Sequence, residues 1–338
     1  MRLKNIFNRP SKESTLPLFD EAFLRRLERL SFRTVPSLRG AILGERRSRN
    51  LRPALDFSDH RPYSSGDDLR HVDWNAFGRH EELFVKLGEA TQSVSIHILL
   101  DCSRSMAWTA SHKSSQPRAT PFDKWAAARR LAGAMGYLGL AGGERVEITP
   151  FTQTLAEGFG PTEGKRRVIS ILKFLSAVTP PSKVLSLKGE EGGGGLVPSL
   201  HTYARTHPGG GLLVLISDLL DTVSPSPLEG GAGEELAESL RHLTPPRWQV
   251  LVMHLLTEEE VQPTLIGDYD LQDSETDESL PFHLNESTLT QYRLRVRTWC
   301  AELQSACAQL GATYARVLAE WPLEQAVIPY LRQRGVVQ

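Results

Sequence analysis

The chain alternates two kinds of apolar pattern. Near-continuous aliphatic and β-branched runs occur at 94–100, 211–217 and 248–256. Each is strand-length and apolar on both faces, as in a sheet covered on both sides. Between them, apolar residues return every three to four positions, the period of an amphipathic helix. One such stretch follows Asp123, carries Trp125, Leu131, Met135 and Leu138, and stops at Gly142 and Gly143. A second, at 163–178, carries Val168, Ile171, Leu172 and Leu175. Further helices are predicted at 196–206, 234–243, 287–310 and 322–334, with further strands at 144–151 and 312–318. Strands alternating with helices imply βαβ units with right-handed crossovers. The expected fold class is therefore α/β, a doubly wound and mostly parallel sheet of Rossmann type.

The flanking regions read differently. Residues 1–19, with Pro10, Ser11, Ser14 and Pro17, have the composition of a flexible tail. Asp20 can cap a helix at 21–31 on which Phe23, Leu24, Leu27 and Leu30 share a face and Arg25, Arg26 and Arg29 point away. Residues 258–285 are acidic and broken, with short extended pieces at 263–271 and 281–284. These are expected to pair with the extended part of 51–86 as a small β subdomain. The resulting division is a tail at 1–19, a helix and extended segment at 20–90, an α/β core at 91–260, an acidic β insertion at 261–286, and a helix-strand-helix at 287–338 that completes the core.

Composition narrows the function. Basic and acidic residues nearly balance, 39 against 40. The chain as a whole therefore has no generic attraction to nucleic acid or to an anionic membrane. Arg46, Arg47 and Arg49 form a local basic stretch, but no aromatic residues interleave with them to stack bases, so nucleic acid is not the expected partner. The three cysteines, Cys102, Cys300 and Cys307, have neither disulfide-framework nor metal spacing. With no signal-like apolar segment and no apolar run long enough to span a bilayer, the expected setting is cytoplasmic, with no membrane span. The glycine run Gly192–Gly195 lacks a following Lys-Ser/Thr, so it is not a P-loop.

The chemistry concentrates where the first buried strand runs out. Asp101, Ser103 and Ser105 form an Asp-x-Ser-x-Ser loop at its carboxyl end, where open α/β sheets hold ligands. One carboxylate and two hydroxyls are hard oxygen donors, suited to Mg²⁺ or Mn²⁺ rather than zinc. Asp218 ends another buried strand and would emerge at the same edge. A structural reading competes: the serines and Asp218 can cap turns without a metal. Cys102 reads as a small packed side chain and Asp221 as a cap or turn residue.

Residues 51–90 contain Asp-Phe-x-x-x-Arg-x-Tyr, Gly-Asp-Asp-x-Arg, Asp-Trp and Phe-Val-Lys in order. This segment resembles the signature of the domain of unknown function 58 family, in which it precedes a von Willebrand factor A-like domain. From the residues alone, Asp67, Asp68, Arg70 and Asp73 read as an ion-pair network with Arg61 and Arg79, with Trp74 and Phe77 packed beneath. The resemblance implies a metal-ion-dependent adhesion site with Asp101, Ser103, Ser105 and Asp218 as metal ligands. The family's threonine ligand falls at Gly194, which has no side-chain oxygen; Ser199 and Thr202 lie too far along to replace it. A metal held this way stays electrophilic towards a carboxylate offered by a partner protein. The resemblance thus implies a non-enzymatic interaction or adaptor protein, with a MoxR-type AAA+ ATPase or its client as candidate partner. The alternative is a metal-dependent phosphatase or hydrolase using Asp101. Its haloacid dehalogenase-like form needs a second aspartate where Ser103 stands.

Overall fold

The computed structural model describes residues 19, 21–33, 57–64, 72–80, 82–88, 93–107, 123–179, 195–220, 231–272 and 279–338. Ahead of the core come α1 (Glu21–Leu27), β1 (Phe57–Pro62), α2 (Trp74–His80) and β2 (Phe84–Gly88). The core itself runs β3 (Ser95–Asp101), α3 (Lys124–Ala141), β4 (Arg145–Phe151), β5 (Phe159–Thr162), α4 (Val168–Ala177), α5 (Leu196–Thr206) and β6 (Gly211–Ser217). It continues through α6 (Ala232–Leu240), β7 (Trp248–Leu256) and the single turn α7 (Glu258–Val261). After a hairpin of β8 (Gly267–Gln272) and β9 (Ser279–Leu284), it closes with α8 (Glu286–Gln309), β10 (Thr313–Leu318) and α9 (Ile328–Gln333).

Six strands form the central sheet in the order β10-β7-β6-β3-β4-β5. All neighbours are parallel except β5, which pairs antiparallel at the edge. The predicted α/β class is therefore present, with β5 as a strand the periodicity did not show. Alternation divides the core in two. Ile96, Ile98 and Leu100 face a layer of α1, α3 and α4, while Leu99 and Leu215 face α5, α6 and α8. Gly139 lets α3 lie close on the sheet, since a Cβ there would meet Ile96 Cδ1 and Val146 Cγ2 at 2.7 Å.

The order of connection locates the site. From β3 the chain first builds outward to β4 on one side, then crosses to β6 on the other. The direction of winding thus reverses between β3 and β6, and such a switch point leaves a crevice at the carboxyl ends of the two strands. Asp101 ends β3 and Asp218 follows β6, so both flank it.

Several expectations change. Among the described residues the acidic insertion does not pair with the 51–86 stretch: β8 pairs with β9 and β1 with β2, as two separate antiparallel pairs. Each stretch finds its partner locally, which costs less chain entropy than a long-range pairing. The Asp-Trp element forms a helix, α2, with Asp73 accepting from the amides of Asn75 at 3.0 Å and Ala76 at 3.2 Å. Trp74 and Phe77 are not packed beneath a charge network. They are 59% and 40% exposed and touch each other edge to face. Asp67, Asp68, Arg70, the Arg46–Arg49 stretch and the Asp20 cap lie outside the described residues. Phe19, assigned to the tail, is instead buried against Phe23, while residues 1–18 lie outside the described residues. The first helix is also shorter than 21–31, though Phe23, Leu27 and Leu30 are buried as predicted. Its exit pairs with the C-terminus through Ser31 and Gln338, which exchange both backbone hydrogen bonds. Among the described residues, no helix is long and apolar enough to cross a membrane.

Candidate functional site

At the carboxyl edge, β3 and β6 deliver Asp101 and Asp218 to one buried cluster. Asp101 Oδ1 accepts from the Ser103 amide at 2.8 Å, and its Oδ2 accepts from the Ser217 hydroxyl at 2.5 Å. The loop then turns so that Ser103 Oγ and Ser105 Oγ lie 2.9 Å apart. Burial and, after it, the charge of Asp218 raise the Asp101 pKa to about 7, against the hydrogen bonds from Ser217 and Ser103.

Asp218 has a partner that the sequence reading missed. The fully buried Lys124 donates from Nζ to Asp218 Oδ2 at 2.8 Å and to Glu260 Oε1 at 2.8 Å. Burial opposes the ammonium charge, but Asp218 and Glu260 together outweigh it and raise the lysine's pKa. Glu260 is fixed in turn by a capping box: its Oε2 accepts from the Thr257 amide at 2.7 Å and hydroxyl at 3.0 Å. On the far side, His254 Nε2 donates to the Asp218 carbonyl at 2.9 Å while Nδ1 accepts from the Tyr314 hydroxyl at 2.6 Å. The acceptor-only carbonyl settles which nitrogen carries the hydrogen. After Asp218 the backbone enters the left-handed region at Leu219, φ 54°, with the Leu219 amide donating to Ser217 Oγ at 2.9 Å. A buried leucine rarely adopts this conformation, and such strain gathers at working sites.

The structure thus brings Asp101, Ser103, Ser105 and Asp218 to one edge. Gly194 and Asp221 lie outside the described residues. Ser199 is buried and donates to the Gln153 carbonyl at 3.3 Å, while Thr202 is exposed, so neither replaces the missing threonine. Cys102 packs as a small buried side chain, its thiol pushed up to about 12 by burial and then by Asp101, which removes it as a nucleophile. Lys124, Ser217, His254 and Glu260 were missed. A lysine in the first turn of a largely apolar helix, directly after its cap Asp123, was the signal available for Lys124. Beside it, Asp123, Arg130, Trp321 and Leu323 help line a cavity of about 230 Å³.

Comparison with known proteins adds a family. The one described as "Protein of unknown function DUF58" matches residues 59–301. Among solved structures, BatB, a conserved hypothetical protein from Bacteroides thetaiotaomicron, is similar at 18% identity and a TM-score of 0.38, covering 72% of this chain and 98% of that one. An aerotolerance-related membrane protein from Bacteroides fragilis is similar at 18% identity and a TM-score of 0.36, with the same coverages of 72% and 98%. No curated protein matches.

Proposed function

The chain belongs to the DUF58 family, whose function is unknown, and from that premise we propose that it is a non-enzymatic, von Willebrand factor A-like interaction module. In this reading it binds a carboxylate of a partner protein through a divalent cation at the carboxyl edge of the sheet. The observation that carries the reading is the pair of hydroxyls 2.9 Å apart beside a buried aspartate at the switch point. Ligands about 2.1 Å from Mg²⁺ in an octahedron stand about 3.0 Å from each other along an edge, which fits the serine pair. Ser103, Ser105 and Asp101 would hold Mg²⁺ or Mn²⁺, and the ion would supply an electrophilic position for the partner's carboxylate.

The fit differs from the simple expectation at Asp218. Its Oδ2 already carries the Lys124 ammonium, so Asp218 contributes charge rather than an open ligand position. Two carboxylates, Asp218 and Glu260, pair with one ammonium, and Asp101 stands beside Asp218 as a third, which leaves negative charge for a second cation to neutralise. A second reading rests on the same contacts: the ammonium is the site's resident cation, and the partner is recognised without metal. Hydrolysis has less support, because the haloacid dehalogenase-like form needs a second aspartate where Ser103 stands. A cytoplasmic setting and a MoxR-type AAA+ ATPase as partner complete the proposal.

Titration calorimetry with Mg²⁺ and Mn²⁺ tests it, on the wild type, Asp101→Ala and Ser105→Ala, alongside capture of a MoxR-type ATPase with and without chelator. Heat of binding and metal-dependent capture in the wild type, lost in both variants, is the expected result. Capture that is equal in chelator for all three proteins rejects the metal bridge in favour of the ammonium reading. Steady phosphate release from a generic ester, lost in Asp101→Ala, would instead reveal an enzyme.

A further inference from the structure

The amino ends of the same strands carry a second polar cluster. His97 on β3 and Glu147 on β4 are register neighbours, and His207, the residue that ends α5, comes down over them. His207 Nε2 lies 3.2 Å from Glu147 Oε1, and His97 Nδ1 lies 3.7 Å from Glu147 Oε2. One ligand atom from each residue falls within 4.8 Å of the others.

The hydrogen bonds around these groups set where their lone pairs point. His207 Nδ1 is 3.0 Å from the Tyr203 carbonyl and 3.0 Å from Thr206 Oγ1. A carbonyl only accepts, so Nδ1 carries a hydrogen and Nε2 is the atom turned towards the Glu147 carboxylate. Nε2 can meet that carboxylate as a donor, or exchange its hydrogen for a metal ion held between the two groups. His97 Nε2 lies against the Gly210–Gly211 backbone without a full hydrogen bond, while Nδ1 accepts from the Tyr203 hydroxyl at 2.8 Å. Its lone pair is engaged by that hydroxyl, with Glu147 Oε2 3.7 Å away. An imidazole fixed by a backbone carbonyl on its far nitrogen is the usual support of a metal-binding histidine.

We propose that His97, Glu147 and His207 form a binding site for a divalent transition-metal ion of the zinc type. The donors are Nδ1 of His97, a carboxylate oxygen of Glu147 and Nε2 of His207. Zinc bonds of about 2.0–2.1 Å place tetrahedral ligands about 3.3 Å apart; the two histidine–carboxylate distances of 3.2 and 3.7 Å are already close to that, and the widest separation, within 4.8 Å, closes by up to about 1.5 Å on binding. Two imidazoles with one carboxylate favour this class of ion over Mg²⁺. The side chains of His207 and Glu147 remain 26% and 17% exposed, which gives the ion a way in and leaves a coordination position for water. Metal takes the His97 lone pair from the Tyr203 hydroxyl, which has Thr149 and Glu147 beside it to receive its hydrogen bond. The bound ion ties β3, β4 and the end of α5 together.

The test uses the full, untagged chain stripped with chelator. Zn²⁺ is titrated against a fluorescent chelator, thermal unfolding is followed with and without Zn²⁺, and Co²⁺ is added as a spectroscopic probe. Wild type is expected to gain thermal stability with Zn²⁺ and to show the visible bands of low-coordinate Co²⁺. In His207→Ala and Glu147→Gln the affinity falls by at least about a hundredfold, since losing even an outer-shell partner costs about tenfold. His201→Ala should bind as wild type does; it alters the His201–His242 pair, where rings meet at 4.9 Å on another surface. No Zn²⁺ response in wild type overturns the proposal and leaves a protonated His207–Glu147 ion pair. An undiminished response in His207→Ala also overturns it. Neither result touches the Mg²⁺ reading, whose residues lie at the opposite end of the strands.

Discussion

The two ends of the parallel sheet answer the same problem in opposite ways. At the carboxyl end, Asp101 and Asp218 are buried, and the counter-charge is built in as Lys124, itself buried completely. At the amino end, Glu147 faces two imidazoles, and the cluster keeps a partly exposed mouth. A buried carboxylate must be neutralised, but by what is open. An internal ammonium makes the first end part of the fold, whereas lone pairs converging beside solvent make the second a place where something binds.

Lys124→Met should break this contrast most forcefully. Removing one partner of a buried ion pair strands the other charges, at about 3–5 kcal/mol. The cost here is expected in that range, read as a lower urea midpoint at unchanged slope. His207→Ala in chelator should cost about 1 kcal/mol or less, because its partly exposed pair with Glu147 is solvent-screened. If Lys124→Met is as mild as His207→Ala, the ammonium is not the keystone of the carboxyl end. Added Mg²⁺ should recover more stability in Lys124→Met than in wild type, since an external cation then replaces the missing internal one.

The contrast also tells what could be read in advance. The sheet, its helices and the convergence of Asp101 with Asp218 followed from runs and periods, because burial on both faces writes itself into composition. Lys124 did not, since a helical lysine is usually solvated and nothing local says that its stem lies under the sheet edge. His97 was hidden by its neighbours: in Val-Ser-Ile-His-Ile-Leu-Leu it reads as one polar interruption of a strand, and its partners Glu147 and His207 come from distant parts of the chain. The exposure of Trp74 and Phe77 was likewise illegible, because aromatic residues carry a strong expectation of burial that only the packed structure overrides.

Asp101 and the buried histidines depend on pH with opposite sign. Asp101, raised to about 7 from 3.8, binds its proton more tightly in the folded state. Its contribution to stability is complete below the unfolded pKa and disappears as pH rises through the folded one, with a slope approaching about 1.4 kcal/mol per pH unit. His97 at the amino end is lowered to about 4, chiefly by burial and then by His207, and His254 is lowered to about 3, chiefly by burial. Their contribution is present above 6.5 and disappears as pH falls. The opposing slopes overlap between pH 4 and 6.5, so wild type alone is a poor witness. The difference between wild type and Asp101→Asn, measured in chelator, isolates Asp101: wild type should weaken relative to the variant as pH rises from 4 to 7, then run parallel to it. A difference that is flat with pH would mean that Asp101 is ionised throughout.

The smallest expected effect sharpens the comparison most finely. Ser105→Ala removes one hydroxyl of the pair at 2.9 Å and leaves Asp101, Asp218 and Lys124 in place. Ser105 is only partly buried, so water can serve the group left behind, and the loss should stay near 0.5–1 kcal/mol. Its effect on Mg²⁺ should be out of proportion to that cost, because one of the site's few direct oxygen donors is gone. Thermal unfolding with and without Mg²⁺ reads both quantities in one experiment. Near-native stability with a lost Mg²⁺ shift places the cation on the serine loop, beside the lysine and separate from it. Near-native stability with the wild-type shift retained takes the cation away from the loop and leaves the Lys124 ammonium as the charge that answers Asp218 and Glu260.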